Sequence, residues 1–180
     1  MPTPLDFIRM VQRGEAPPPP VARLIGFTLA DVEPGRAVIA FEADGRHANP
    51  MGTLHGGVLC DIADAAMGIA YAATLDEDET FTTLELKINF LKPVRTGRLV
   101  ATGRVVKGGR TIGLVECDVL DDKDRLVARA SSTCMTLTGE QAAGRQVPVP
   151  ERSRRRATAA PGRERRAVWR AMSAPPTSAR

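Results

Sequence analysis

The run Val58 to Tyr71 is apolar at nearly every position, and this constrains the fold more than any other stretch. A helix that is apolar on nearly all sides must be covered on nearly all sides, so the rest of the chain has to wrap around it. Asp61 and Asp64 break the pattern. Three positions apart, at about 100° per residue, they lie roughly 60° from each other on one face. A carboxylate on such a helix sits at a rim, is paired, or performs chemistry.

The residues leading into the helix favour chemistry. Asn49-Pro-Met-Gly-Thr-Leu-His55 is a polar loop, and Gly56 and Gly57 open the helix. The first N–H groups of a helix lack intrahelical partners, and glycine lets a second molecule approach that backbone closely. Donors at the positive end of the helix dipole suit a carbonyl oxygen gaining negative charge. One stretch thus offers an oxyanion site and, two turns on, a carboxylate. Asn49 and His55 stand nearby as orienting groups.

The flanking sequence reads as strands. Residues 27–32 and 37–42 are expected to pair as a hairpin across the turn Glu33-Pro34-Gly35-Arg36. Over residues 81–91, Leu84, Leu86, Ile88 and Phe90 alternate with Glu85, Lys87 and Asn89, which predicts a strand with one buried face. Residues 97–107, 111–120 and 126–137 are three further strands, turning at Gly108-Gly109-Arg110 and at Asp121-Asp122-Lys123-Asp124. The helix is expected over 55–74. It stops before Asp76-Glu77-Asp78-Glu79, because acids are unfavourable at a helix C-terminus. Two strands, a long helix and four strands in a meander make an α+β fold, one antiparallel sheet with one helix.

At the N-terminus, Leu5, Phe7, Ile8, Met10 and Val11 predict a short helix ended by Gly14, and Pro17 to Pro20 an extended spacer. Residues 1–20 therefore form an N-terminal helix and spacer, 21–138 the domain, and 139–180 a basic tail without hydrophobic periodicity, expected to be disordered. Ten arginines against two acids give residues 141–180 a charge of +8, so the other 140 residues carry −4 of the chain's total of +4. The basic balance belongs to the tail, which argues against nucleic acid as the domain's partner. No apolar run reaches the roughly 18 residues of a membrane span. The N-terminus lacks the pattern of a secretory signal. Cys60, Cys117 and Cys134 show no CxxC spacing, so neither a disulfide framework nor a zinc site is indicated and a cytoplasmic location is expected. With only His47 and His55 available, a His-rich metal site is excluded.

The spacing Asn49-x5-His55-Gly56-Gly57-x6-Asp64, followed by the strand Thr82 to Pro93, resembles the hotdog-fold acyl-CoA thioesterases, above all the phenylacetate-pathway (PaaI-like) branch and its human counterpart. The resemblance covers roughly residues 26–137. It implies a curved sheet wrapped around the central helix. It also implies hydrolysis of an aryl or medium-chain acyl-CoA without metal or cofactor, coenzyme A entering only as part of the substrate. Asp64 would be the general base or nucleophile, and Asn49 would place the thioester carbonyl or the attacking water. His55 would orient the loop, and Thr83 would hydrogen-bond the water or the acid. Lys107, Gly108, Gly109, Arg110 and Thr111 fall where related enzymes touch the coenzyme A nucleotide. Asp61 is read as structural and His47 as exposed. A homo-oligomer is implied, a dimer or a dimer of dimers, with Asn49 and His55 of one chain facing Asp64 and Thr83 of another. The competing reading is a non-catalytic acyl-CoA-binding module on the same fold.

Overall fold

A computed structural model describes residues 3–145. Its elements are α1 (Pro4–Gln12), α2 (Pro20–Ile25), β1 (Phe27–Glu33), β2 (Arg36–Ala43), α3 (Gly56–Ala72), β3 (Thr80–Phe90), β4 (Gly97–Gly108), β5 (Ile112–Asp121) and β6 (Leu126–Leu137). Short 3-10 turns occupy Gly45–His47 and Gly139–Ala142. The strands form one antiparallel sheet in the order β1-β2-β4-β5-β6-β3. The meander expected for the last four strands holds only for β4, β5 and β6. The α3 crossover carries the chain from β2 to the far edge, so β3 pairs with β6 and β4 returns beside β2.

The sheet curls around α3. Leu59, Ile62, Ala63, Ala66, Met67, Ala70 and Tyr71 are buried in one core with Ile39, Phe41, Leu99, Ala101, Val115, Val119 and Val127. Two strand glycines set how close the sheet comes. A Cβ on Gly103 would lie 2.3 Å from the Ala66 carbonyl oxygen, and one on Gly113 would lie 2.2 Å from the Tyr71 ring. Register shifts in β1, β3, β4 and β6 add the local bending that wrapping requires.

One of those shifts corrects the reading of β3. Thr83 pairs with Cys134 and Glu85 with Thr133, which leaves Leu84 unpaired in a bulge. Before the bulge the odd positions face α3, with Phe81 against Gly68 and Thr83 towards Asp64. After it the even positions do: Leu86 and Ile88 pack on the core, and Phe90 lies over Gly56. Leu84, expected on the buried face, is 51% exposed. Period-two reasoning assumes an unbroken ladder, and a single inserted residue inverts it.

At the N-terminus, α1 carries a Thr3/Asp6 capping box, and its Leu5 joins the main core. The proline run is not extended to its end. Pro20 is the first residue of α2, the helical position that proline tolerates best. His47, expected to be exposed, is largely buried: its Nε2 lies 3.2 Å from the Ile25 carbonyl, its Nδ1 accepts from the Asp44 N–H at 3.2 Å, and its ring meets Phe41 edge-on. Beyond β6, Ala142 is 3% exposed, so the body continues past residue 138. The tail expected over 139–180 lies outside the described residues from 146 onwards.

Candidate active site

The loop before α3 is closed on itself by Asn49. Its side-chain oxygen accepts from the N–H groups of Met51 (2.9 Å) and Thr53 (3.2 Å), and its Nδ2 donates to Thr53 Oγ1 at 2.9 Å. The backbone adds Asn49 N–H to the Thr53 carbonyl and Leu54 N–H to the Val94 carbonyl, each at 2.7 Å. Asn49 therefore fixes its loop in the single chain, with its polar atoms used locally.

His55 is the N-cap of α3. Its Nδ1 accepts from the Gly57 N–H at 2.9 Å, which requires a ring unprotonated at that nitrogen. This corrects one expectation. The Gly57 N–H, a candidate oxyanion donor, is occupied by His55, while the Gly56 N–H meets no acceptor among the described residues. A Cβ at either glycine would make a ring move: at Gly57 it would lie 2.9 Å from His55 Nδ1, and at Gly56 2.9 Å from Phe90 Cζ. His55→Ala should destabilise the fold by about 1 kcal/mol, the scale of a lost N-cap, and His55→Asn should recover most of it in urea titrations.

Asp61 and Asp64 are the exposed residues of α3. Thr83 Oγ1 lies 3.5 Å from Asp64 Oδ1, a long bond that leaves the carboxylate able to take another partner. The surrounding protein raises the Asp64 proton affinity by desolvating its charge. The Thr83 hydroxyl opposes the shift and the Asp61 charge adds to it. Burial pushes the thiols of Cys60 and Cys134 upward as well, and that of Cys117 to about 12, so none presents a thiolate nucleophile at neutral pH.

The structure thus brings Asp64 and Thr83 together, and likewise His55 with Gly57. The hairpin Lys107 to Thr111 stands apart. The root of this hairpin, at Gly113, lies against Tyr71, seven residues beyond Asp64 and about 10 Å further along the helix. Lys107 and Arg110 are exposed there and form no ion pair among the described residues. A second basic place escaped the sequence reading, because the run 92–98 is joined there by Arg125 from the β5–β6 turn, some 30 residues further on. Lys92, Arg95, Arg98 and Arg125 border a hollow of about 230 Å³. Lys92 and Arg125 both pair with Asp121 and hold its carboxyl well below the usual range. Arg95 reaches the Gly52 carbonyl at 3.3 Å and so ties the hollow to the Asn49 loop.

The family description Thioesterase superfamily matches residues 51–128, which include α3 and β3. A 1,4-dihydroxy-2-naphthoyl-CoA hydrolase of Listeria monocytogenes is 30% identical over 109 residues, 61% of this chain and 89% of that protein. Human acyl-coenzyme A thioesterase 13 is 26% identical over 62% of this chain and 81% of its own length. Among solved structures, a phenylacetic acid degradation-related protein of Ralstonia eutropha superposes with a TM-score of 0.66 at 32% identity, covering 72% of this chain and 98% of that one. The chain belongs to the thioesterase superfamily. It is a hotdog thioesterase of the PaaI-like kind.

Thioester hydrolysis by such an enzyme needs a group that activates or delivers the attacking oxygen and donors for the oxyanion. It does not need a strong acid, because a thiolate leaves readily. The α3–β3 seam offers a carboxylate with raised proton affinity, and the α3 N-terminus an N–H without a partner among the described residues.

Proposed function

We propose that the protein hydrolyses aryl or medium-chain acyl-CoA thioesters to the free acid and coenzyme A. Asp64 takes a proton from water as the water oxygen bonds to the carbonyl carbon; as the direct nucleophile it would instead form a mixed anhydride that water then opens. The Gly56 N–H holds the oxyanion. The C–S bond breaks, and the sulfur leaves as thiolate and takes up a proton. Thr83 orients Asp64 or its water, and His55 keeps the helix start in shape. Lys107, Gly108, Gly109, Arg110 and Thr111 receive the nucleotide phosphates. The observation that carries this reading is Asp64 itself, a carboxylate of raised proton affinity on an apolar helix, whose side chain makes one long hydroxyl bond among the described residues. Thiol release from a panel of acyl-CoAs tests it; tight binding of every acyl-CoA without turnover would sink it.

Each active site is built from two chains. Gly56 and Asp64 are eight residues apart in α3, about 12 Å along its axis, too far for both to serve one carbonyl carbon. A second copy, placed with its α3 alongside, brings one chain's Gly56 and Asn49 to the other's Asp64 and Thr83. Two surfaces support that placement. β3 is an edge strand bearing the exposed side chains Leu84 and Phe90. Val58, Ala65 and Ile69 form an incompletely covered strip on α3 beside the aspartates. Mixing the inactive variants Asn49→Ala and Asp64→Ala should restore part of the activity after subunit exchange. No recovery despite demonstrated exchange would refute the shared site.

A further inference from the structure

We propose that Phe81 sets the length limit of the acyl group by closing the α3–β3 seam one helical turn beyond Asp64. The inference rests on the reading of Asp64 and Thr83 given above. Phe81 and Thr83 face α3 from the same side of β3, two residues apart. Asp64 and Gly68 are one turn apart on the helix opposite, about 6 Å along its axis. Thr83 meets Asp64, and Phe81 meets Gly68 so closely that a Cβ there would lie 3.2 Å from the ring Cζ.

The ring is also held from behind. Tyr71 packs edge-on against it, with centroids 5.6 Å apart and planes at 66°. Tyr71 is itself fixed: it is 2% exposed, its hydroxyl lies 2.8 Å from Thr136 Oγ1, and its ring fills the notch left by Gly113. A linear acyl chain starting beside Asp64 and running towards the C-terminal end of α3 meets this wall after a few carbons. A flat aryl group ends against it in an edge-to-face contact. Neither Phe81 nor Gly68 belongs to the spacing pattern that marks the catalytic groups. The bulge at Leu84 lets Phe81 and Thr83 face the helix on the same side as Leu86 and Ile88, which unbroken alternation would forbid.

The test is kcat/KM over straight-chain acyl-CoAs of increasing length and one benzoyl-type substrate, for the wild type, Phe81→Leu and Phe81→Ala. The expected wild-type profile falls steeply beyond medium chains. In Phe81→Ala the ratio of long-chain to short-chain kcat/KM should rise by about tenfold or more, the scale of discrimination an apolar pocket achieves, with the change mainly in KM. Phe81→Leu should shift the profile the same way by less, and it carries the test if the alanine variant does not fold. A wild type that prefers the longest chains, or variants with an unchanged ratio, would overturn the inference while leaving the thioesterase reading in place. A wild type that hydrolyses none of the thioesters would overturn both.

Discussion

Asp64→Asn should lower kcat by a factor on the order of 10² to 10⁴, the scale of losing a positioned base, with substrate affinity nearly unchanged. Asp61→Asn should keep most of the activity, since Thr83 reaches Asp64 and not its neighbour. Exchange of the two results would place the chemistry one turn earlier on α3. The pH dependence follows from the raised proton affinity of Asp64. The base works only when ionised, so the acid limb of kcat/KM should lie above the ordinary carboxylate value of about 4. Stability has the opposite sign. A carboxyl whose proton affinity is higher in the folded state favours folding at acid pH, and that contribution is lost as pH rises through its folded pKa. Asparagine is neutral throughout, so Asp64→Asn should raise Tm at neutral pH, and the gain should vanish in acid. An inactive variant that is also more stable would mark Asp64 as a residue kept for function.

Gly103→Ala should cost at least about 3 kcal/mol, the upper end of ordinary overpacking. The added Cβ would meet backbone rather than a movable side chain: the Ala66 carbonyl oxygen at 2.3 Å, its carbon at 2.4 Å and the Met67 nitrogen at 2.7 Å. Relief requires β4 and α3 to separate where strand and helix backbones are in contact. Gly45→Ala is the control, because a Cβ there meets nothing within 4 Å, and its effect should stay within about 0.5 kcal/mol. Urea titration of both variants provides the comparison. A neutral Gly103→Ala would mean that the helix does not lie this close to the sheet.

What was readable in the chain alone was readable because it is local. The unbroken apolar run required a buried helix, and α3 occupies Gly56–Ala72 within the expected 55–74. The two aspartates stood out because nothing else on that helix is charged, and the turns declared themselves through glycine, proline and aspartate chemistry. The spacing from Asn49 to Asp64 carried the family.

Everything that depends on neighbours distant in sequence was decided by the folded chain. β3 lies beside β6 because strand order follows the crossover, and no strand's own residues encode which edge it joins. The bulge at Leu84 inverted the facing of β3, since the pattern of alternation cannot announce an unpaired residue. His47 was misplaced because its partners, Ile25 and Phe41, come from α2 and β2. The division of labour between the two opening glycines, Gly57 bound to His55 and Gly56 left open, follows from a cap geometry that two identical residue types cannot express. Sequence by itself determined the helix and the family. Tertiary structure decided which groups meet, because those meetings depend on distances of a few ångströms between segments that only the curved sheet brings together.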